Sequence, residues 1–409
     1  MASKLFLVIL CFLLLFSLLF VGSVGASSEM WSQTYGGPKG DYARSLVETF
    51  DGGYALVGIS RDGYGFNIDC LLVKTDAYGN MEWNQTYRGE DSYQGDALIQ
   101  TSDEGFIIAG DRYSIDEGYD SWLAKTDAYG NMEWNKTYGG PRPSIEHFNS
   151  IVETSDGGFV AAGYTTFRAG DNDFWLVKMD IYGNVAWNQT YDGMGEDFAV
   201  SLVVTIDGGY ALAGGTQLSS WSERDFWLVK TDEFGNMEWN RTYGGDGNDF
   251  ARSLVATSDG GYALAGGKDG DVYGGGDFWL VKTDEYGIME WNRTYKEFSA
   301  HSLVEASDGG YAIAGGNGLV KTDAYGNIEW NRTYNGGWAS SLIETSDGGY
   351  ALAGYSGSLD IAGKTDFWLV KTDAQVIPEF PSWTILPLLF VACLVGVIFR
   401  NKLRKNDLE

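Results

Sequence analysis

Apolar positions along most of this chain fall in short runs, rich in β-branched and aromatic residues and cut by turns that carry Asp, Gly and Asn. In one stretch the runs lie at 201–205, 209–214, 226–231 and 237–243. Each run is too short for a helix and suits a pleated strand with one or both faces covered. Ile206-Asp207-Gly208 joins the first two runs and Asp232-Glu233-Phe234-Gly235-Asn236 joins the last two, which predicts tight turns at both places. No helical period occurs in residues 27–376.

The four-run unit occurs seven times. A Trp followed closely by Thr-Tyr stands at Trp31, Trp83, Trp134, Trp187, Trp239, Trp291 and Trp330, at steps of 51–53 residues until the last, which is 39. A turn of the Asp-Gly-Gly kind precedes Tyr54, Phe106, Phe159, Tyr210, Tyr262, Tyr311 and Tyr350. Seven such units predict an all-β fold, a seven-bladed β-propeller with four-stranded blades; a linear β-solenoid is the competing architecture. The chain opens on a fourth-type run, residues 31–35, and its last unit lacks one. The N-terminal strand is therefore expected to complete the last blade, which removes two free sheet edges. The small residues at 262–266, Tyr-Ala-Leu-Ala-Gly, would let blades approach closely, and the seven Trp residues are expected in the core between them.

The two ends carry longer apolar segments. Lys4, an apolar run over 5–21 and the small residues Val24-Gly25-Ala26 predict a secretory signal peptide at 1–26. A second run, 383–399, is long enough to span a bilayer, and the basic tail at 400–409 predicts a cytoplasmic C-terminus with the body outside. The propeller would then be an ectodomain over 27–376, followed by a linker at 377–382. That linker, Pro378-Glu379-Phe380-Pro381-Ser382, with the span and basic tail behind it, resembles the PEF-type C-terminal sorting signal of archaeal surface proteins. The resemblance implies an archaeal cell surface; sortase cleavage and a retained transmembrane anchor both stay open.

The stretch Leu-Val-Lys-Thr-Asp-x-x-Gly-x-x-x-Trp, as at 228–239, resembles the tryptophan-docking repeat of quinoprotein-like propellers. It implies the fold without the cofactor, because the quinone-binding members need an adjacent cysteine pair and Cys70 is the single cysteine between the two terminal segments. Thr-Ser-Asp-Gly-Gly-Tyr, as at 257–262, is similar to the Asp-box of sialidase propellers, yet it recurs in nearly every unit and reads as turn chemistry.

Composition narrows the function. With 28 Lys and Arg against 56 Asp and Glu, the chain has a net charge of −28, which repels nucleic acid and anionic lipid. The two histidines, His147 and His301, stand in different units without metal-ligand spacing. No nucleophile elbow or phosphate loop occurs, so no catalytic residue is assigned. One acidic series, Asp41, Asp96, Glu146, Asp197 and Asp249, recurs where a fourth strand leads into the next unit; another, Asp69, Asp120, Asp173, Asp225, Asp277 and Asp366, precedes the third strands. They are expected to cap backbone amides at blade junctions, or else to form a calcium-binding ring at the channel mouth. Asn-x-Thr at Asn84, Asn135, Asn188, Asn240, Asn292 and Asn331 predicts N-glycosylation of an exported chain.

Two turns of each unit hardly vary and would share one face; the connections from second to third strand, and from fourth strand to the next unit, differ everywhere and would share the other. Ligand contacts are expected on that variable face, at Tyr64, Phe66, Tyr113, Phe167, Trp221, Asp271, Tyr273 and Asp360. In the sixth unit one such connection shrinks to residues 315–318, which predicts a notch in the rim. The expected function is a non-enzymatic cell-surface module for binding, adhesion or surface-layer structure, meeting a surface protein or a glycan. A glycan-active, sialidase-like hydrolase and a quinoprotein-like oxidoreductase are the alternatives.

Overall fold

The structure, a computed structural model, describes residues 31–373 apart from 38–39, 62–67, 141–143, 167–169, 194, 218–222, 271–276, 297–299, 335 and 358–364. The signal segment, linker, apolar span and basic tail lie outside the described residues. Among the described residues no helix is long and apolar enough to cross a membrane.

These residues form seven four-stranded antiparallel sheets. Six sheets use consecutive strands and span residues 40–87, 92–138, 146–191, 198–243, 248–295 and 302–333. The seventh combines Gly337–Glu344, Tyr350–Ser356 and Asp366–Thr372 with the N-terminal strand Trp31–Tyr35. Trp31 pairs with Lys371 and Tyr35 with Phe367, so the chain's first strand is the outer strand of its last blade, as the offset of the repeat predicts. The first strands touch one another blade after blade and return to the start, which closes the ring around a central channel.

The burial of each strand follows its place in the blade. Second and third strands such as Tyr210–Gln217 and Arg224–Thr231 are covered on both faces and read as nearly continuous apolar runs. The outer strand Met237–Tyr243 alternates exposed and half-buried residues and ends on a buried tyrosine. Seven apolar clusters hold the ring, each built from facing sides of two successive blades. Ala211, Ala213 and Phe226 of blade four, for example, receive Tyr262, Leu264, Trp279 and Val281 of blade five. A small-residue face against a large-residue face is the complementarity that the Tyr-Ala-Leu-Ala-Gly pattern supplies.

The repeat tryptophans are only half-buried, which corrects their expected place in the core. They sit on the outermost strand, where one side of the ring must face solvent. Each still packs on the next blade: Trp187 lies 6.2 Å from Tyr210 and Trp239 lies 5.8 Å from Tyr262, ring centre to ring centre. Six of them, all but Trp330, also cover the left-handed glycine of that blade's second tight turn. At Gly235, φ +78°, an added Cβ would come within 2.7 Å of the Trp187 ring. The tyrosine closing each outer strand donates its buried hydroxyl to the same glycine's carbonyl, as Tyr35 does to Gly79 and Tyr191 to Gly235, both at 2.7 Å. Tyr334 is the exception. It faces the seam, where third and fourth strands come from opposite ends of the chain, and its buried hydroxyl has no partner among the described residues.

In each blade a lysine near the end of the third strand, buried in six blades and half-buried at Lys178, anchors the first tight turn. Lys230 Nζ donates to Asp207 at 2.7 Å, to the Thr231 carbonyl at 2.8 Å and to Glu238 at 2.8 Å. Lys74, Lys125, Lys178, Lys282, Lys321 and Lys371 likewise pair with the turn aspartates Asp51, Asp103, Asp156, Asp259, Asp308 and Asp347. Burial alone would raise the carboxyl of Asp207, but Lys230, the Thr205 hydroxyl and the Gly209 amide together hold it down to about 2; Asp51, Asp259 and Asp347 sit equally low for the same reasons. Because the folded values lie below the unfolded value near 4, the stability they confer is complete above roughly pH 4 and is lost as pH falls toward 2. Thermal melting followed across this range should show Tm falling steeply below roughly pH 4, and a flat Tm down to pH 2 would refute the lysine network as a stabilising element.

Blade six is short. Its strands Tyr311–Gly315 and Gly318–Thr322 are joined by Gly316 and Asn317 alone, as the compressed repeat predicts. Most of the long connections expected to flank it, 271–276 and 358–364, lie outside the described residues.

Candidate functional site

The first strands carry a bulge at one position in six blades. Ala43 faces the preceding blade and Ser45 the following one, so the unpaired residue between them, Arg44, is turned from the sheet toward the channel. The same place is held by Asp96, Asn149, Val200, Arg252 and Ser340. Asp96 therefore does not belong to the acidic series in which its spacing placed it. The residue in register with Asp41 is Tyr93, which pairs with Arg112 as Asp41 pairs with Ser60.

Around Asp96 the sevenfold pattern breaks down into a charged cluster that joins three blades. Arg44 is ion-paired with Asp96 and donates to Gln94 at 3.1 Å. His147 places Nδ1 3.2 Å from Asp111 Oδ1 and Nε2 3.6 Å from Asp96 Oδ2. Asp111 is 1% exposed. Burial pushes its carboxyl well above the usual carboxylate range and Asp96 adds to this, against the pull of His147 and Arg44. Asp111 stands where other blades carry Ile59, Tyr164 or Gly215, so Asp96, Asp111 and His147 are each single departures from the repeat.

Aromatic rings gather at the variable-face ends of the two inner strands. Tyr164 stacks on His147 at 5.3 Å and meets Phe198 edge-on at 4.9 Å. Tyr355 packs against Tyr42 at 5.0 Å and stacks on Trp338 at 6.5 Å. Arg61 lies over Tyr42 and Arg224 over Phe198. Trp338 is 46% exposed. This collar stands on inner-strand positions that the sequence reading passed over in favour of loop aromatics.

Of the residues expected to meet a ligand, Tyr113 is described. It is half-exposed at the end of Phe106–Ser114 and packs on Tyr119 at 4.7 Å. Tyr64, Phe66, Phe167, Trp221, Asp271, Tyr273 and Asp360 lie outside the described residues.

The remaining acids of the first series, Asp41, Glu146, Asp197 and Asp249, are buried within blade junctions. Asp41 accepts the Gly37 amide at 3.2 Å and Asp197 the Gly193 amide at 2.6 Å, the capping geometry. Instead of forming one ring, they meet the second acidic series junction by junction. Asp41 lies beside Asp366, Glu146 beside Asp120 and Asp197 beside Asp173. The six sequon asparagines are exposed on the outer strands. Asn240 and Asn292 accept from Trp227 and Trp279 through Oδ1, at 3.3 and 3.1 Å, and donate through Nδ2 to the sulfurs of Met237 and Met289, at 3.3 and 3.2 Å.

No protein-family model and no curated protein matches this chain. Solved structures do. The WD40 β-propeller domain of Doa1 is 14% identical with a TM-score of 0.55, over 85% of this chain and 96% of that one. The WD40 domain of Pan2 from Neurospora crassa is 11% identical with a TM-score of 0.53, over 84% and 99%. Sqt1 from Chaetomium thermophilum is 12% identical with a TM-score of 0.50, over 80% and 83%. At such identities the likeness is one of fold, a seven-bladed propeller.

Proposed function

We propose that the protein is a non-enzymatic binding module of the cell surface, and that it grips a protein partner with the variable face around the channel mouth. The observation that carries this reading is the asymmetry between the two faces. The tight-turn face repeats almost unchanged, whereas the opposite face concentrates the aromatic collar and the Arg44–Asp96–His147–Asp111 cluster. Half-exposed aromatic rings flanked by arginine are the side chains that dominate binding energy at protein interfaces. The cluster itself favours a structural role over catalysis, since Asp111 is too buried to meet a substrate.

Display outside the cell rests on the signal-like leader, the apolar span with its basic tail, and six exposed sequons. Both described ends of the chain fit it. Trp31 lies beside Lys371, so the described residues begin and end on the tight-turn face. Protease added to intact cells should remove the propeller, and mass spectrometry should find glycan on one or more of the six asparagines. Survival of the propeller together with six unmodified asparagines would sink this location.

A pull-down with the full chain, run beside a glycan array, identifies the partner. Trp338→Ala and Tyr355→Ala should each weaken it by about tenfold or more, while Asp207→Asn in a tight turn should lower Tm without changing affinity. A partner that ignores both collar substitutions, or a ligand found only on the glycan array, overturns the assignment.

A further inference from the structure

One blade junction places an acidic residue where three others have glycine. Where an outer strand's tyrosine leads on, three junctions have Gly36, Gly139 and Gly244, and a Cβ there would collide with a carboxylate of Asp366, Asp120 or Asp225. Between blades three and four the same position is Asp192. Asp173, Asp192 and Asp197 consequently bring one oxygen each to within 4.8 Å of one another. Asp197 is 0% exposed; its Oδ2 accepts the Gly193 amide, and its Oδ1 has no hydrogen-bond partner. Thr216, 1% exposed, also has an unpartnered hydroxyl, and it lies beside Asp197 around Gly193.

A buried oxygen with no donor and two further carboxylates at hand is an unfavourable arrangement unless a cation completes it. Asp171 and Glu196 add negative charge nearby, and Arg224, which faces Glu196 and Asp197, is the positive group on this side. The donors are oxygens without exception, and the exposed Asp192 leaves one side open to water. That set suits a hard cation with flexible coordination, calcium before magnesium.

We infer that the junction of blades three and four binds one calcium-class divalent cation through Asp173, Asp192 and Asp197, with the Thr216 hydroxyl alongside. The site would clip the third strand of one blade to the first strand of the next. It is a single site created by one departure from the repeat, not a ring.

The test uses the full chain stripped with a chelator and titrated with Ca²⁺ alone, by calorimetry and thermal melting, with Mg²⁺ as comparison. One saturable site and a Ca²⁺-dependent rise in Tm are expected. Asp192→Gly installs the residue found at three other junctions, so it should fold and melt normally without calcium yet bind at least about tenfold more weakly. Asp173→Asn should do the same if Asp192→Gly misfolds, and Asp366→Asn at the seam should leave binding unchanged. Absence of saturable binding in the parent chain, unchanged binding in both site variants, or equal weakening in Asp366→Asn would each overturn the site; the last would show a diffuse acidic surface.

Discussion

Removing Trp31–Tyr35 is expected to destabilise the propeller and to open a sheet edge. The strand supplies the outer edge of blade seven through a five-residue ladder, and it docks Trp31 and Tyr35 on blade one. Losing one buried and one half-buried aromatic ring and their hydrogen bonds costs on the order of 4 kcal/mol or more, and it leaves Asp366–Thr372 as an open edge. The shortened protein should melt well below the full chain and aggregate at concentrations where the full chain stays soluble. Equal melting temperatures would show that closure contributes nothing, a result the seam geometry does not allow.

The second expectation separates the two classes of aromatic residue. Phe226 is fully buried between blades four and five, so Phe226→Ala should cost about 3–5 kcal/mol. Trp187 is larger but half-exposed, and its contact is with a turn and one edge of Tyr210. Trp187→Ala should therefore cost about half as much, roughly 1–3 kcal/mol. Urea unfolding of both variants against the parent gives the comparison. A Trp187 loss exceeding that of Phe226 would mean that the docking on Gly235 carries far more than its buried area.

Blade number, strand order and seam were legible because they rest on periodic signals: the Trp and Thr-Tyr spacing, the Asp-Gly-Gly turns, and the outer-strand motif at the head of the chain. What escaped depends on geometry that a linear pattern does not carry. Trp187 looked like core because it is large and regular, yet its burial is set by its strand being outermost. Asp96 looked like a partner of Asp41 because both are acids near a strand start. One bulged residue moves it toward the channel, and no composition rule signals a bulge. Lys230 and Asp207 read as parts of separate motifs, and only the fold brings them to 2.7 Å. Asp111 and His147 were single exceptions to a repeat, and a search for recurring residues passes over such positions by construction.

The seam also sets the order of events as the protein is made. Trp368 Nε1 donates to Ser32 Oγ across 336 positions of sequence, so the first strand to emerge has no sheet to join until the last blade has formed. Blades one to six each complete themselves from neighbouring strands and can condense one after another, while Trp31–Tyr35 waits unpaired. Closure is thus expected to be the slow, long-range step. Until it occurs, the exposed edges of the first and last blades are the places where two half-finished chains would most readily pair with each other.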